Sequence, residues 1–405
     1  MIVRAPLSLL SPLILAWLLA TSVSARADER PSISPQTYQI LQETQQLLDQ
    51  GQSVKAVQRL EELVQTTAKH PYEQAVALQS LANAHIERND YTSAIAPLQR
   101  SVELASLPAE AQQQARYNLA QLYMATDRFA PAIEQLKLWF KQAKSAPAEA
   151  YMLLGSAHLQ LKQYRQAIEP LRQAIRLSNR INEGWYQSLL GAYYESKQYS
   201  EAVKLLHKML RLFPDSSDYW RQLAGIELMR RRDGEALAVM ELAYLNGKLT
   251  KEQDLLNLAQ LYAQRDAPYK AAQLLEKELK KGRIKAGRKT WEQTANAWQL
   301  ARELEPTVTA LEKALSFERN PELSLRLARL YLEVNRPAAA EKTLRQFLKQ
   351  SKGKHTDEAW LLLGIACHEG KSLEQARQAF NQALKSANTR DQAQQWLSYL
   401  ESKQG

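Results

Sequence analysis

One pattern of small and large apolar residues recurs about every 35 residues along most of this chain. One copy runs through Leu119, Ala120, Tyr123, Phe129, Ala132, Leu136 and Trp139, and the next, with identical spacing, through Leu154, Gly155, His158, Tyr164, Ala167, Leu171 and Ala174. A repeat of this length is typical of stacked supersecondary units, which bury a continuous core only when several lie side by side. The pattern therefore predicts a repeat array.

One position of the repeat is usually small, and it marks the period. It falls in turn on Thr44, Ala82, Ala120, Gly155, Leu190, Ala224, Ala259, Ala295, Ala328 and Gly364. Ten repeats therefore cover about residues 36 to 388. In the fifth repeat Gly191 comes one residue late, so we expect Leu190 to fill the small position. The first and eighth repeats depart from the pattern at Thr44, Leu47 and Thr307.

Composition favours helices throughout the chain. Only 13 Gly and 15 Pro occur in 405 residues, whereas residues that lose little rotamer freedom in a helix are abundant. Short breaks such as Asn89-Asp90-Tyr91 and Arg232-Asp233-Gly234 predict tight turns between two helices of one repeat. We predict an all-α fold without β-sheet, with helix pairs over residues 28–388 and a capping helix at 389–405.

The pattern resembles the tetratricopeptide repeat, in which helix A carries the small position and then Tyr, and helix B carries Ala and an aromatic residue or Leu. The resemblance implies a right-handed superhelical solenoid of about ten helix pairs that binds proteins in a concave groove. In such repeats the second, fifth, ninth and twelfth positions, on helix A, line the groove. The groove candidates are Gln79, Asn83, Tyr117, Gln121, Met124, Gln187, Tyr194, Arg221 and Gln260.

These candidates combine amides, aromatic rings and a methionine. Amides can bond to the backbone of an extended peptide, and aromatic rings can cover its apolar side chains. Tyr and Arg often dominate binding energy, so we expect Tyr117, Tyr194 and Arg221 to contribute most. The alternative is a solvated groove in which these side chains have no ligand.

Residue patterns of known catalytic and metal sites are missing from the sequence. The phosphate-binding glycine motifs and H-E-x-x-H do not occur, and the six histidines are scattered. His85, His158 and Cys367 occupy the position where other repeats have Tyr, which favours packing over catalysis. Cys367 is the single cysteine and cannot form an internal disulfide. We predict that the protein is not an enzyme and holds no metal or cofactor.

A basic run lies at the junction of the seventh and eighth repeats. It comprises Lys277, Lys280, Lys281, Arg283, Lys285, Arg288 and Lys289, and Glu278 is the one acidic residue within it. Such a run could meet an acidic protein, anionic lipid headgroups or a glycan phosphate. The alternative is a solvated turn.

The N-terminus has the composition of a secretory signal peptide. Arg4 precedes an apolar run from Leu7 to Ala20, and Ala25-Arg26-Ala27 supplies small residues at a cleavage site. An uncleaved anchor is the alternative, although the run is shorter than the roughly 20 residues needed to span a bilayer. We expect cleavage after Ala27, a periplasmic protein without a transmembrane helix in its mature chain, and no nucleic-acid partner.

Short motifs suggest a narrower resemblance. They are Phe213-Pro214, Tyr219-Trp220-Arg221-Gln222-Leu223-Ala224, Ala267-Pro268-Tyr269-Lys270-Ala271, Ala297-Trp298 and Ala301-Arg302-Glu303. Together they resemble periplasmic tetratricopeptide proteins encoded alongside TonB systems in gammaproteobacteria. That resemblance implies an accessory of the TonB, ExbB and ExbD complex, which passes proton-motive energy to outer-membrane receptors for iron chelates. The alternatives are a scaffold for outer-membrane assembly or polysaccharide export, and an enzyme with an unrecognised site.

Overall fold

A computed structural model describes residues 32–350 and 355–402. Over these residues the chain forms 21 α-helices and no β-strand. The all-α prediction is therefore confirmed. The chain divides into two compact units, Met1–Leu205 and Leu206–Gly405, and the division falls within the tenth helix. The predicted signal peptide at 1–27 lies outside the described residues.

Helices of the first unit alternate between helix A and helix B of successive repeats, and each packs against the next along the chain from α1 to α9. Their bounds are α1 (Pro35–Asp49), α2 (Ser53–Thr66), α3 (Pro71–Glu87), α4 (Tyr91–Leu104), α5 (Ala109–Ala125), α6 (Phe129–Gln142), α7 (Ala148–Gln160), α8 (Tyr164–Leu177), α9 (Glu183–Glu195) and α10 (Tyr199–Leu212), where the division falls.

The second unit continues the alternation, and its helices also pack in chain order from α11 to α21. Their bounds are α11 (Ser217–Met229), α12 (Asp233–Leu245), α13 (Glu252–Gln264), α14 (Pro268–Lys280), α15 (Arg288–Leu300), α16 (Leu304–Phe317), α17 (Pro321–Glu333), α18 (Pro337–Gln350), α19 (Thr356–Glu369), α20 (Leu373–Ala383) and α21 (Arg390–Ser402). Odd-numbered helices up to α19 are helices A.

The turn from helix A to helix B has the same backbone conformation in every repeat. One residue per turn has a positive φ, and these residues are Gly51, Asn89, Asp127, Lys162, Lys197, Arg231, Asp266, Arg302, Asn335 and Lys371. The next N–H donates to the carbonyl five residues earlier, as from Asp90 to His85 (2.9 Å) and from Gln163 to His158 (2.8 Å). This bond closes a Schellman motif, which stabilises a left-handed residue that would otherwise cost about 1–2 kcal/mol.

The small position of each repeat lies where helix A meets helix B, and all ten of its residues are buried. A Cβ atom added to Gly155 would lie 2.7 Å from both Cγ and Cδ2 of Leu171, and one on Gly364 would collide with the ring of Phe380. The close approach of the two helices therefore requires a small residue there. In the fifth repeat Leu190 is buried and Gly191 exposed, which confirms the predicted register.

Two threonines stand where the repeat pattern has a small residue, and neither leaves its hydroxyl proton without an acceptor. Thr44 and Thr307 are buried, and their hydroxyls donate to the carbonyls of Leu41 (2.9 Å) and Glu303 (2.6 Å). Each hydroxyl proton therefore has an acceptor within its own helix.

Polar bonds link consecutive helix pairs beside the apolar core. Tyr123 on α5 donates its hydroxyl to Gln99 of α4 (2.9 Å), and Tyr331 on α17 donates to Glu312 of α16 (2.6 Å). Cys367 occupies the equivalent position on α19, where it is fully buried and 3.9 Å from Arg345 on α18. Its predicted burial is therefore confirmed, and burial raises the pKa of this thiol.

The last helix, α21, buries Ala393, Leu397 and Leu400. Trp396 on the same helix stacks on Phe380 of α20, with ring centroids 5.5 Å apart and planes 8° from parallel. These contacts place an apolar face of α21 against the tenth pair. Its function as a cap and the right-handed superhelix remain predictions.

Candidate protein-binding surface

The predicted groove residues of the first unit all lie on helices A, and none is buried. Gln79 and Asn83 are on α3, Tyr117, Gln121 and Met124 on α5, and Gln187 and Tyr194 on α9. Gln187 and Tyr194 are exposed and the other five are half-buried. By contrast, Ala120 beside Gln121 is fully buried, so neighbouring positions of one helix separate into a core face and an accessible face.

Tyr117 takes part in packing as well as facing solvent. Its ring centroid lies 5.2 Å from that of Trp139, which contacts Phe140, which in turn contacts Tyr151 at 4.7 Å. Burial raises the pKa of Tyr117 to about 12. This aromatic cluster joins α5, α6 and α7, and the contacts of Phe140 and Tyr151 do not follow from the repeat pattern. Tyr117 is therefore a packing residue with one accessible side.

In the second unit the predicted residues are Arg221 on α11 and Gln260 on α13. Gln260 is exposed. Arg221 is half-buried, forms an ion pair with Asp218, and has its Nε 3.8 Å from Oδ1 of the buried Asp254. Because two carboxylates hold Arg221, its charge is less available to a partner than the sequence suggested.

The basic run meets acids from outside it as well as Glu278 within it. Lys280 pairs with Glu276 at 2.6 Å, and Arg288 pairs with both Glu292 and Glu318 at 2.8 Å. Glu318 lies 30 residues further along the chain, at the end of α16, and it reaches Arg288 because α15 packs against α16. Among the described residues, no carboxylate lies within ion-pair distance of the Lys281, Lys285 or Lys289 side chains.

Glu278 is the centre of this region and is fully buried. It accepts hydrogen bonds from Tyr244 of α12 (2.7 Å) and from Nε of Arg283, while Lys277 lies over the Tyr244 ring. Burial alone would raise the pKa of Glu278, but the bonds from Arg283 and Tyr244 outweigh it, and the pKa lies below its usual value. Lys277 and Arg283 therefore belong to a structural link between α12 and α14.

A polar cluster on helices A of repeats eight to ten was missed by the sequence argument. Arg326 of α17 donates to Asn296 Oδ1 (2.6 Å) and to Gln299 of α15, and Arg329 pairs with Glu358 of α19. Asn296 and Gln299 stand at the ninth and twelfth positions of their repeat, so the groove rule could have found them. Arg326 stands at the sixth position, which the rule does not include.

No group of three or more His, Cys, Asp or Glu side chains is arranged to hold a metal ion within residues 32–350 and 355–402. Over the same ranges, no helix combines the length and apolar character that crossing a bilayer requires.

Family models account for the repeat pattern. Residues 19–221 match the model described as the tetratricopeptide repeat protein 21 C-terminal ARM domain, and residues 325–391 match a tetratricopeptide repeat model. The first match alone spans half of the chain. The chain belongs to the tetratricopeptide repeat family. The family match agrees with the structure, in which ten turns between helices A and B share one conformation and ten small positions are buried. Membership of this family makes the protein an interaction scaffold of the tetratricopeptide type.

Solved structures similar to this tetratricopeptide chain are repeat proteins. The C-terminal part of a tetratricopeptide protein from Cytophaga hutchinsonii is 17% identical over 70% of this chain and 97% of its own, with a TM-score of 0.38. A tetratricopeptide protein from Parabacteroides merdae is 13% identical over 74% of this chain and 100% of its own, with a TM-score of 0.36. No curated protein matches the chain.

Proposed function

We propose that this tetratricopeptide protein holds an extended segment of a protein partner against its helices A. The observation that carries the proposal is the separation along α3, α5, α9 and α13 between buried positions and accessible amide and aromatic side chains, as at Ala120 and Gln121. Amides and aromatic rings can bind a peptide backbone and its apolar side chains. The protein is non-catalytic in this proposal.

We further propose that the scaffold works in the periplasm as an accessory of a TonB, ExbB and ExbD energy-transduction system for iron uptake. The support is in the sequence: the apolar run at Leu7–Ala20 before Ala25-Arg26-Ala27, and the short motifs from Phe213 to Glu303. A scaffold for outer-membrane assembly or polysaccharide export is the alternative. Co-purification from envelope membranes distinguishes the two by the identity of the partner.

Partner capture by a groove variant tests the scaffold proposal. The variant carries Gln121→Ala, Tyr194→Ala and Gln260→Ala, since these side chains have accessible surface on helices A. Tyr117 and Arg221 stay unchanged because their contacts with Trp139 and with Asp218 would confound binding with stability.

A matched control removes the same residue types from helices B. It carries Tyr269→Ala, Gln273→Ala and Gln378→Ala, all exposed on α14 and α20. Tyr269 makes one edge contact with the ring of Trp298, as Tyr194 does with that of Tyr199, so circular dichroism melting checks that both variants remain folded. Tagged full-length proteins are isolated from envelope membranes and the co-purifying proteins are quantified. We expect the groove variant to capture at least tenfold less of its specific partner than the wild type does. The control should capture as much as the wild type. Equal capture by both variants would contradict binding on helices A.

A further inference from the structure

One edge of the second unit is rich in cations. At this edge helices B end and helices A begin, so the turns 246–251 and 281–287 both lie there. These two turns contain five Lys and Arg residues and no acidic residue. By contrast, the turns 265–267 and 301–303 at the opposite edge each contain an acid, Asp266 or Glu303.

The acids near this edge are already engaged by other cations. Glu276 pairs with Lys280, Glu278 with Arg283, Glu318 with Arg288 and Asp215 with Lys248. Lys281, Lys285 and Lys289 are exposed and have no carboxylate partner in the part of the chain that the structure describes. Their charge is therefore available to a ligand outside the chain.

The turn that carries these lysines is anchored in the core. Ile284, in the middle of the turn, is fully buried. The N–H of Lys285 donates to Glu252 at the start of α13 (3.0 Å), and the hydroxyl of Thr290 donates to the Lys285 carbonyl (3.0 Å). Because the backbone is held by these contacts, binding through the lysines does not require the turn to become ordered first.

Two exposed apolar side chains flank the same turn. Leu245 and Phe317 are the last residues of α12 and α16, and they are 74% and 54% exposed. Their chain neighbours adjoin the turn: the ring centroid of Tyr244 lies 5.7 Å from Cζ of Arg283, and Glu318 pairs with the first residue of α15 at 2.8 Å. Cations and exposed apolar side chains therefore occupy one edge.

This combination favours an anionic lipid surface over an acidic protein. Peripheral binding to a bilayer depends on buried apolar area together with attraction between basic residues and anionic headgroups. The ammonium of a lysine is a compact point charge that suits a phosphate, whereas a planar carboxylate is better matched by arginine. A strongly acidic peptide would match the charge of the lysines but would leave Leu245 and Phe317 in water.

We propose that this edge, called here the basic edge, docks on the surface of an anionic phospholipid bilayer. Lys281, Lys285 and Lys289 contact the phosphate headgroups. Leu245 and Phe317 lie at the boundary between the headgroups and the acyl chains. The protein lies on the membrane and does not cross it through this edge, and the docking does not rest on capture of a protein partner.

Sedimentation with vesicles tests the docking of the full-length protein. One set of vesicles contains equal parts of phosphatidylglycerol and phosphatidylcholine, and the other contains phosphatidylcholine alone. The lipid preference is the ratio of the two partition coefficients, so binding through the apolar run at Leu7–Ala20 contributes equally to both and cancels. Each lysine near an anionic surface contributes about fivefold, so we expect the wild type to prefer the mixed vesicles by about 100-fold.

Three variants separate the basic edge from net charge. The edge variant carries Lys281→Gln, Lys285→Gln and Lys289→Gln, and it should lose nearly all of the preference. The matched control carries Arg265→Gln, Arg302→Gln and Lys371→Gln, which remove three exposed cations from turns at the opposite edge. Its preference should stay within about threefold of the wild-type value, because charges far from the bilayer are screened.

The third variant, Leu245→Ser with Phe317→Ser, tests the apolar contribution. It should bind the mixed vesicles about tenfold more weakly than the wild type does. Circular dichroism melting checks that all three variants remain folded. Fluorescein-labelled hexaglutamate with an amidated C-terminus, followed by fluorescence anisotropy, tests an acidic protein as the alternative occupant.

The proposal is overturned if the wild type shows no lipid preference, or if the control loses as much of it as the edge variant. It is also overturned if the apolar variant binds like the wild type, or if the edge variant loses hexaglutamate binding while its vesicle binding is unchanged. The vesicles contain no protein, and the groove variant leaves the basic edge intact. Failure of this docking and failure of the scaffold proposal are therefore distinguishable.

Discussion

The close approach of helices A and B at Gly155 gives a stability prediction with a built-in control. A Cβ at Gly155 would lie 2.7 Å from two carbons of the fully buried Leu171, whereas carbon atoms in optimal contact are about 3.5–4.0 Å apart. Relieving the overlap requires α8 or Leu171 to move, and overpacking of this kind costs about 1–3 kcal/mol. Gly155→Ala should therefore destabilise the protein relative to a glycine substitution without the collision.

Gly191 provides that comparison, since a Cβ there meets nothing within 4 Å and the residue lies on the exposed side of α9. Because alanine has the higher helix propensity, replacing glycine by alanine in a helix stabilises the protein by about 0.8–1.0 kcal/mol, and this applies at both sites. The shared gain cancels, so Gly155→Ala should be about 1–3 kcal/mol less stable than Gly191→Ala. Gly155→Leu against Ser156→Leu repeats the test with a larger side chain, because Ser156 is half-buried at a groove position.

Urea unfolding followed by circular dichroism gives the free energies of unfolding from the midpoints and slopes. The reasoning is refuted if Gly155→Ala is as stable as Gly191→Ala, because Leu171 would then yield without cost. It is also refuted if Ser156→Leu destabilises as much as Gly155→Leu.

Three other outcomes are expected. Tyr331→Phe removes the hydroxyl bond to Glu312 and should lower the free energy of unfolding by about 1 kcal/mol in urea, with no loss if that bond contributes nothing. The pKa of Glu278 is lowered in the folded protein, so its stabilising effect is complete above the unfolded value of about 4.3 and is lost as pH falls through the folded pKa. Glu278→Gln should therefore flatten the dependence of melting temperature on pH below about pH 4.3. An unchanged slope would show that the bonds to Arg283 and Tyr244 do not stabilise the charged carboxylate. Mass spectrometry of the exported protein should show loss of residues 1–27, whereas an intact Met1 would favour an anchor.

The fold could be predicted from the sequence because the residues that pack two helices together recur at fixed positions within each repeat. Small residues at Gly155 and Gly364 mark where two helices touch, and the burial of Leu190 beside the exposed Gly191 follows from counting along the repeat. The turns were harder to predict in detail. Lys162 and Arg231 adopt positive φ although neither is a turn former, because the Schellman bonds of the helix end select the conformation.

Features of the surface depended on contacts between helices, which spacing along the chain does not show. Glu318 at the end of α16 reaches Arg288 at the start of α15, and Asp254 reaches Arg221 from the next helix A. The hydrogen bonds from Arg326 to Asn296 and Gln299 join α17 to α15, so spacing within one repeat does not predict them.

Site-specific photocrosslinking in cells tests the central claim most directly. A benzoylphenylalanine is placed at Gln121 or Gln260 on helices A, or at Gln273 or Gln378 on helices B, and adducts are identified by mass spectrometry. The scaffold proposal predicts adducts with one partner protein from Gln121 and Gln260, and none with that partner from Gln273 or Gln378. Adducts from the helix B positions alone, while the partner still co-purifies, would contradict it.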